Sequence, residues 1–215
     1  MEDYKSEFID FMIGCGVLTF GDFVTKSGRR TPYFINTGNY RTGAQLSRLG
    51  SYYARCINDV LGEDFDILFG PAYKGIPLAV AASSALYLDF GLDKGYCFNR
   101  KEAKDHGEGG SLVGTKPQAG SRVVIIEDVM TAGTSIRETV PLLLSYSPDV
   151  VIKHEFISVD RMEIGVGGRT AKAEIKDEFG IDVHAIVTVK DIIEKMRGRI
   201  DVRPIEEYMD RYCEK

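Results

Sequence analysis

From residue 66 onward the sequence alternates short apolar runs with amphipathic helical stretches, and this alternation constrains the fold more than any other feature. The apolar runs, each short enough for a buried strand, are DILFG (66–70), YCFN (96–99), VVIIEDV (123–129), VIKHEFISVD (151–160) and VHAIVTV (183–189). Helical patterns lie between them, to about residue 88 and at 133–145 and 170–179. Continuous apolar strands that alternate with helices are typical of a parallel sheet covered on both faces. The sequence therefore predicts an α/β fold around a mainly parallel five-stranded sheet.

The first third of the chain has a different pattern. A helix is predicted at 3–13, a short antiparallel hairpin around the KSGRR turn, and a long amphipathic helix at 44–61. No linker or repeat divides the 215 residues, so we expect a single domain. We divide it into N-terminal helices with a small hood (about 1–65), a core (about 66–190) and a C-terminal helical segment (191–215).

Composition excludes several classes of function. The net charge of −5 gives no overall attraction to nucleic acid or to an acidic membrane, and no apolar run is long enough to span a bilayer. The N-terminus lacks the pattern of a secretory signal. Four scattered cysteines form no CxxC pair and have no metal-ligand spacing with the histidines. We therefore expect reduced thiols, a cytoplasmic location, and no nucleic-acid or membrane partner.

Polar segments follow four of the predicted strands. They are PAYKG, NRKEAKDH, EDVMTAGTS and DRME. In open α/β sheets, ligands bind beyond the carboxyl ends of the strands. These four segments are therefore the candidate binding site.

The TAGTS turn puts Thr131, Gly133, Thr134 and Ser135 at the start of a helix. Unpaired backbone N–H groups and the helix dipole favour a phosphate there, and the hydroxyls add donors. The pattern is neither a Walker A loop nor a dinucleotide fingerprint. Later in the chain GVGGRT (165–170) only half resembles that fingerprint, and a flexible loop is the preferred interpretation.

Glu127 and Asp128 precede this turn and leave two interpretations open. One is an N-cap acid with a solvated neighbour. The other is a pair of acceptors for the vicinal hydroxyls of a sugar, or ligands for a divalent ion. Local composition alone does not decide between them.

The whole stretch VVIIEDVMTAGTS resembles the phosphoribosyl-diphosphate (PRPP) motif of type I phosphoribosyltransferases. The resemblance implies that family's fold, with the acid pair on the ribose 2′ and 3′ hydroxyls and the turn around the 5′-phosphate. The motif positions are Glu127, Asp128, Val129, Met130, Thr131, Ala132, Gly133, Thr134 and Ser135.

Other stretches resemble the orotate phosphoribosyltransferases within that family, in order and over nearly the whole chain. KSGRRTPYFINTGNYRTG (26–43) is similar to their N-terminal part and GPAYKGIPLA (70–79) to their diphosphate loop. NRKEAKDHGEGG (99–110) is similar to their mobile catalytic loop, and SVDRME (158–163) to the segment with an orotate-contacting arginine. Two positions depart from the family: the acid pair is Glu-Asp where many relatives have Asp-Asp, and Phe34-Ile35 stands where a relative can carry two aromatics.

The resemblance implies roles for individual residues. Lys101, Lys104, His106 and Asp128 are the candidate catalytic residues. Those implied to bind substrate, besides the PRPP motif, are Lys26, Phe34, Ile35, Tyr73, Lys74, Arg100 and Arg161. On composition alone, 99–110 could be a solvated charged loop, and Lys26 and Arg161 could be ordinary surface cations.

The implied reaction transfers the 5-phosphoribosyl group from PRPP to orotate, giving orotidine 5′-monophosphate and diphosphate for pyrimidine synthesis. Mg²⁺ is expected on the diphosphate and ribose hydroxyls, without direct protein ligands. A homodimer that shares the 99–110 loop between subunits is also implied. The length leaves no room for an orotidylate decarboxylase barrel, so a single activity is expected. A PRPP-binding regulator and a purine phosphoribosyltransferase remain as alternatives.

Overall fold

A computed structural model describes residues 2–25, 28–104, 110–165 and 167–214, with side chains left out at 101–104 and 110. The helices are α1 (Asp3–Gly14), α2 (Gly43–Leu61), α3 (Gly75–Phe90), α4 (Thr134–Tyr146), α5 (Ala171–Phe179), α6 (Val189–Met196) and α7 (Arg203–Tyr212). The strands are β1 (Leu18–Val24), β2 (Arg30–Ile35), β3 (Ile67–Gly70), β4 (Gly95–Lys104), β5 (Gly110–Gly114), β6 (Arg122–Ile126), β7 (Val151–Asp160) and β8 (Asp182–Thr188).

The central sheet has the strand order β5-β4-β3-β6-β7-β8. Strands β4, β3, β6, β7 and β8 are mutually parallel and correspond to the five strands expected from the sequence. The α/β class and the mainly parallel sheet are therefore confirmed. The strand number differs, since β5 adds a sixth strand that pairs antiparallel with β4.

The segment after the second predicted strand is also more regular than expected. We expected a loop from residue 99, but β4 continues to Lys104 because β5 returns alongside it and supplies hydrogen-bond partners. Leu112 of β5 is buried, which anchors the returning strand to the sheet. Residues 99–104 therefore belong to a strand that pairs with β5, at Asn99 with Leu112 and at Lys104 with Gly110.

Alternating residues of β6 supply two apolar layers. Val124 and Ile126 belong to the cluster that includes buried residues of α1, α2, α3, α6 and α7. Val123 and Ile125 belong to a second cluster with α4 and α5. This period of two, with both faces covered, explains why the strand reads as an unbroken apolar run.

The hood is the β1-β2 hairpin, whose strands pair antiparallel. Tyr33 of β2 is fully buried and its ring meets that of Tyr208 on α7 edge to face, with 6.1 Å between centroids. Helix α7 therefore packs against the hairpin, in the part of the molecule where the polar segment after β7 also lies.

Among the described residues, no helix is long and apolar enough to cross a membrane. All four cysteines are free thiols, and three of them are buried.

Candidate active site

The carboxyl ends of β3, β6 and β7 lie side by side, because β6 pairs in parallel with both β3 and β7. The turn 71–74 follows β3, the acid pair and TAGTS turn follow β6, and Arg161 follows β7. Three segments far apart in the sequence therefore meet at one edge of the sheet, as the rule for ligand sites in such sheets predicts.

Asp128 lies at the centre of this edge. Its Oδ2 accepts hydrogen bonds from Lys74 Nζ and from Thr37 Oγ1, each at 2.6 Å. Its backbone carbonyl accepts from the Ser158 backbone N–H at 2.9 Å. Because the backbone is fixed by β7 and the side chain is mostly buried, Asp128 is held in one orientation toward Lys74.

Glu127 is held differently. Its backbone N–H donates to the Phe156 carbonyl, and its carbonyl accepts from the Tyr53 hydroxyl at 2.6 Å. Within the described part of the chain, Oε1 is buried without a hydrogen-bond partner. Burial raises the pKa of Glu127 to about 7, the Ser135 hydroxyl opposes this shift, and the charge of Asp128 adds to it. Glu127 therefore titrates near neutral pH, whereas it would ordinarily be ionised well below it.

A second buried glutamate lies beside it on β7. Glu155 is fully buried, it pairs in register with Ile125, and neither carboxyl oxygen has a hydrogen-bond partner among the described residues. Burial, and secondarily the charge of Glu127, raises the pKa of Glu155 well above its ordinary value. A carboxyl group without partners in an apolar layer is destabilising, and it is least so when it keeps its proton.

We expect Glu155→Met to raise the free energy of unfolding at pH 7 by about 1–3 kcal/mol, because it removes an unsatisfied polar group and keeps a similar volume. Since the folded state holds this proton and the unfolded chain releases it near the ordinary pKa, wild-type stability falls as pH rises above that value. The Glu155→Met variant has no proton to release at this position, so this part of the pH dependence of stability should be missing from it. Urea unfolding measures both effects, with Glu155→Gln as the polar control. A less stable Met variant would contradict the assignment of Glu155 as an unsatisfied group.

The phosphate turn has an open helix start. Gly133, at the N-cap position of α4, has φ 69° and ψ 16° and provides no side-chain cap, so the first N–H groups of α4 are not used by a capping side chain. A Cβ at Gly133 would lie 2.9 Å from Ile175, so glycine is required there for space as well as for φ. Arg137 supports the turn by donating to the Ala132 carbonyl at 2.5 Å and to Glu178 at 2.8 Å.

The turn after β3 is equally tight. A Cβ at Gly70 would lie 2.0 Å from the Gly75 carbonyl oxygen, so the strand and the start of α3 can approach only without a side chain. The Ala72–Tyr73 peptide is cis. The Ala72 backbone N–H donates to Asn99 Oδ1 at 2.9 Å, which ties this turn to β4.

A cavity of about 640 Å³ opens next to Val129, Met130 and Thr131, the residues that follow the acid pair, and it is within the usual size range of small-molecule sites. Of the residues proposed from the sequence, it is lined by Phe34, Ile35, Lys74, Val129, Met130, Thr131 and Arg161. The hood, the turn after β3, the PRPP motif and the segment after β7 therefore share one cavity.

The other described residues predicted from the sequence do not line this cavity. Tyr73 is 67% exposed on the turn after β3, and Arg100 is half-buried on β4. Thr134 and Ser135 open α4. Lys26 and His106, and the side chains of Lys101 and Lys104, lie outside the described residues.

Sequence reasoning missed several contacts. Thr37 reaches Asp128 from 91 positions away, and the Tyr53 hydroxyl donates to the Glu127 backbone carbonyl. Glu163 and Tyr208 contact each other at 2.7 Å beside Arg161. None of these residues carried a local signal, because each acts through a partner distant in the sequence.

Comparison with known proteins agrees with this arrangement. The model of the phosphoribosyl transferase domain matches residues 39–163. The chain is 54% identical to the orotate phosphoribosyltransferase of Clostridium beijerinckii over 227 aligned positions, covering 99% of both chains. This chain belongs to the orotate phosphoribosyltransferase family. The family resemblance of the sequence motifs is thereby confirmed.

Two further orotate phosphoribosyltransferases are similar. That of Lachnoclostridium phytofermentans is 57% identical over 199 positions, covering 93% of this chain and 88% of its own. The crystal structure of the Francisella tularensis protein superposes with a TM-score of 0.87 at 38% identity, covering 97% of this chain and all of that one. The type I fold is therefore confirmed over nearly the whole chain.

Proposed function

We propose that this protein transfers the 5-phosphoribosyl group of PRPP to orotate, forming orotidine 5′-monophosphate and releasing diphosphate in pyrimidine synthesis. The observation that carries the proposal is the single cavity shared by PRPP-motif residues and by Arg161. A phosphoribosyl donor and an anionic base can meet there. Membership of the orotate phosphoribosyltransferase family supports the same reaction.

In this proposal PRPP binds to the segment that follows the carboxyl end of β6. The TAGTS turn receives the 5′-phosphate at the uncapped start of α4, and Asp128 and Glu127 accept the ribose hydroxyls. Lys74, with Tyr73 and Arg100, faces the diphosphate. Lys74 now donates to Asp128 Oδ2, and its side chain is 68% exposed, so it can move to a ligand anion without crossing a packed layer.

The base is held between the hood and the segment after β7. Phe34 and Ile35 would contact orotate through backbone groups, and Lys26 would lie near both orotate and diphosphate. Arg161 supplies a planar guanidinium, which suits the carboxylate of orotate through paired hydrogen bonds. An uncharged purine has no carboxylate to use this group, which favours orotate over the purine alternative.

Mg²⁺ belongs to the proposal as an ion held mainly by the diphosphate and the ribose hydroxyls. The acid pair fits this arrangement indirectly, because Glu127 and Asp128 can accept the ribose hydroxyls on which such an ion would rest, and Glu127 Oε1 is unpaired within the described residues. When bound, the ion neutralises charge that develops on the departing diphosphate. The protein residues themselves orient the ribose and exclude water from C1′.

We propose that 99–110 acts as a closing lid in which Lys101 and Arg100 hold the diphosphate while Lys104 and His106 complete the closed site. Lys101→Ala or Lys104→Ala is expected to lower turnover at least tenfold, since each removes a charge that stabilises the leaving group, with little change in melting temperature. Lys116→Ala, an exposed lysine beyond β5, is the matched control. Full activity in both lid variants would contradict the assignment.

A homodimer that shares this lid is part of the proposal. Helix α3 leaves Val80, Tyr87 and Leu88 exposed, an apolar surface of the kind that subunits bury. Mixing inactive Lys104→Ala with inactive Asp128→Asn tests the sharing. If the lid acts in the neighbouring subunit, exchange gives one intact site per mixed dimer, about a quarter of all sites. If it acts within its own subunit, no activity returns.

The cytoplasm is the proposed location, because buried free thiols such as Cys97 persist in a reducing compartment.

The test of the function is the loss of orotate absorbance on adding PRPP and Mg²⁺, with hypoxanthine, adenine and uracil as parallel substrates. We expect consumption of orotate alone. Consumption of a purine instead would favour the purine enzyme. If no base were consumed while calorimetry still detected PRPP binding, the regulator would replace the enzyme.

A further inference from the structure

Arg161 is held by a carboxylate two residues away. Its Nε donates to Glu163 Oε1 at 2.7 Å and its Nη2 lies 2.6 Å from the same oxygen. Nη2 also reaches Thr31 Oγ1 at 3.4 Å, and the guanidinium carbon lies 4.5 Å from the centroid of the Tyr33 ring. Ion pair and ring together fix the plane of the guanidinium. These contacts use Nε and Nη2 of the guanidinium.

The backbone between the two residues is unusual. Met162 has φ 55°, the only positive φ of a non-glycine residue in the described chain. Its N–H donates to Asp160 Oδ1 at 2.7 Å, and its carbonyl accepts from the Glu214 N–H at 2.9 Å. A left-handed methionine is maintained only where its surroundings hold it. Here it lets Arg161 and Glu163 meet over two positions.

Helix α7 and the residues after it provide that hold. The Tyr208 hydroxyl donates to Glu163 Oε1 at 2.7 Å, and the Cys213 thiol lies 3.4 Å from the Arg161 carbonyl. The Ile164 N–H donates to the Tyr212 carbonyl at 2.8 Å. The whole segment after β7 is therefore bonded to the C-terminal helix rather than to the PRPP motif.

The charges of this cluster are unequal. Glu163 also faces Arg29, with 3.5 Å between Nη1 and Oε2, so one carboxylate serves two guanidinium groups. Asp160, the other nearby acid, is engaged with the Met162 backbone. The 640 Å³ cavity is lined by four basic side chains, Arg29, Lys74, Arg161 and Lys172, and by two acidic ones, Asp160 and Glu163. Its lining therefore carries more positive than negative charge, which suits a ligand that brings a carboxylate.

We infer that Glu163 and Tyr208 are positioning residues that hold Arg161, beside Arg29, for the carboxylate of the base. The inference rests on the proposed function and extends it. Base recognition is assigned to a framework anchored on α7, and PRPP recognition to the β6 end. Loss of the framework should therefore affect one substrate and leave the other.

The test is steady-state kinetics on the full chain, with KM measured separately for orotate and for PRPP. Tyr208→Phe keeps the ring and removes only the hydroxyl, and we expect KM for orotate to rise about tenfold with KM for PRPP within about twofold. Glu163→Gln should have a larger effect in the same direction, and Glu163→Asp should recover part of it because the charge is kept. Glu206→Gln, which removes from α7 the carboxylate of a surface ion pair with Arg197, is the matched control.

A double-mutant cycle separates positioning from general damage. In an Arg161→Ala background, Tyr208→Phe should have no further effect on KM for orotate, since the residue that it positions is gone. An undiminished effect in that background would overturn the inference, as would equal changes in both KM values or a Glu206→Gln that behaves like Tyr208→Phe.

The wild-type measurement distinguishes the two levels of the proposal. If the wild-type protein consumes orotate and the Tyr208 and Glu163 variants have an unchanged KM for orotate, the inference is wrong and the proposed function stands. Wild-type protein that neither consumes nor binds orotate by calorimetry overturns the proposed function and the inference together.

Discussion

Asp128→Asn is expected to lower turnover with orotate and PRPP by about 100- to 1000-fold, because in the proposed binding mode it removes a fixed negative charge near the carbon that becomes cationic during transfer. The side chain is preorganised for that position by Lys74 and Thr37, both 2.6 Å from Oδ2. Asparagine has the same shape, so the geometry is retained and the charge alone is lost. Most of the loss should therefore appear in kcat rather than in KM for orotate.

Stability should change little in this variant. Lys74, the ionic partner, is 68% exposed, and exposed ion pairs contribute about 1 kcal/mol or less. Asp59→Asn is the matched control, since it removes the carboxylate of an exposed ion pair with Arg55 on α2. Wild-type turnover in Asp128→Asn would argue against any role of this carboxylate at the ribose.

Glu127→Gln is expected to affect activity and stability in opposite directions. If the ionised carboxylate accepts a ribose hydroxyl, wild-type kcat/KM for PRPP rises as pH increases through about 7, the pKa to which burial raises this group. The glutamine variant should be slow and should lack this titration. The same variant should be more stable than wild type at pH 8, because it removes a charge from a buried position.

The direction of the stability effect follows from proton binding. The folded protein keeps the Glu127 proton up to pH about 7, whereas the unfolded chain releases it near 4.5. Between these values the folded state binds more protons, so its stability is fully present below 4.5 and falls as pH rises through 7. A shift of this size corresponds to on the order of 3 kcal/mol.

Urea unfolding at several pH values, alongside PRPP kinetics, measures both effects. Glu138→Gln, at an exposed position on α4, is the control that should leave both curves unchanged. Parallel stability curves for wild type and Glu127→Gln from pH 4.5 to 8 would contradict the raised pKa.

The sequence predicted those features that are local in the chain. Each parallel strand carried its own apolar run, and the PRPP motif lies within nine consecutive residues, so both could be found from a short window. Strand β5 was missed because its short run, 110–114, becomes a strand only through pairing with β4. Glu155 gave no signal either, since it sits in one of the apolar runs and its isolation depends on what covers that face.

Other parts of the candidate site are assembled from segments that are distant in the sequence, and a short sequence window could not predict them. The Arg161 framework joins Thr31, Glu163 and Tyr208, the last of them 45 positions after Glu163. No periodicity couples such positions, because the coupling arises when α7 packs against β2. The role of α7 at the cavity therefore required the structure.

The ion pair between Lys74 and Asp128 bears on which molecules the site can reject. A simple anion such as inorganic phosphate or free diphosphate can attract Lys74. Asp128 then loses its ion pair with Lys74, and the anion supplies no hydrogen-bond donor to replace it. PRPP offers an anion to the lysine and hydroxyl donors to the aspartate at once. In the proposed binding mode the ion pair therefore favours a sugar diphosphate, which replaces both partners, over the small anions of a cell, which replace only one.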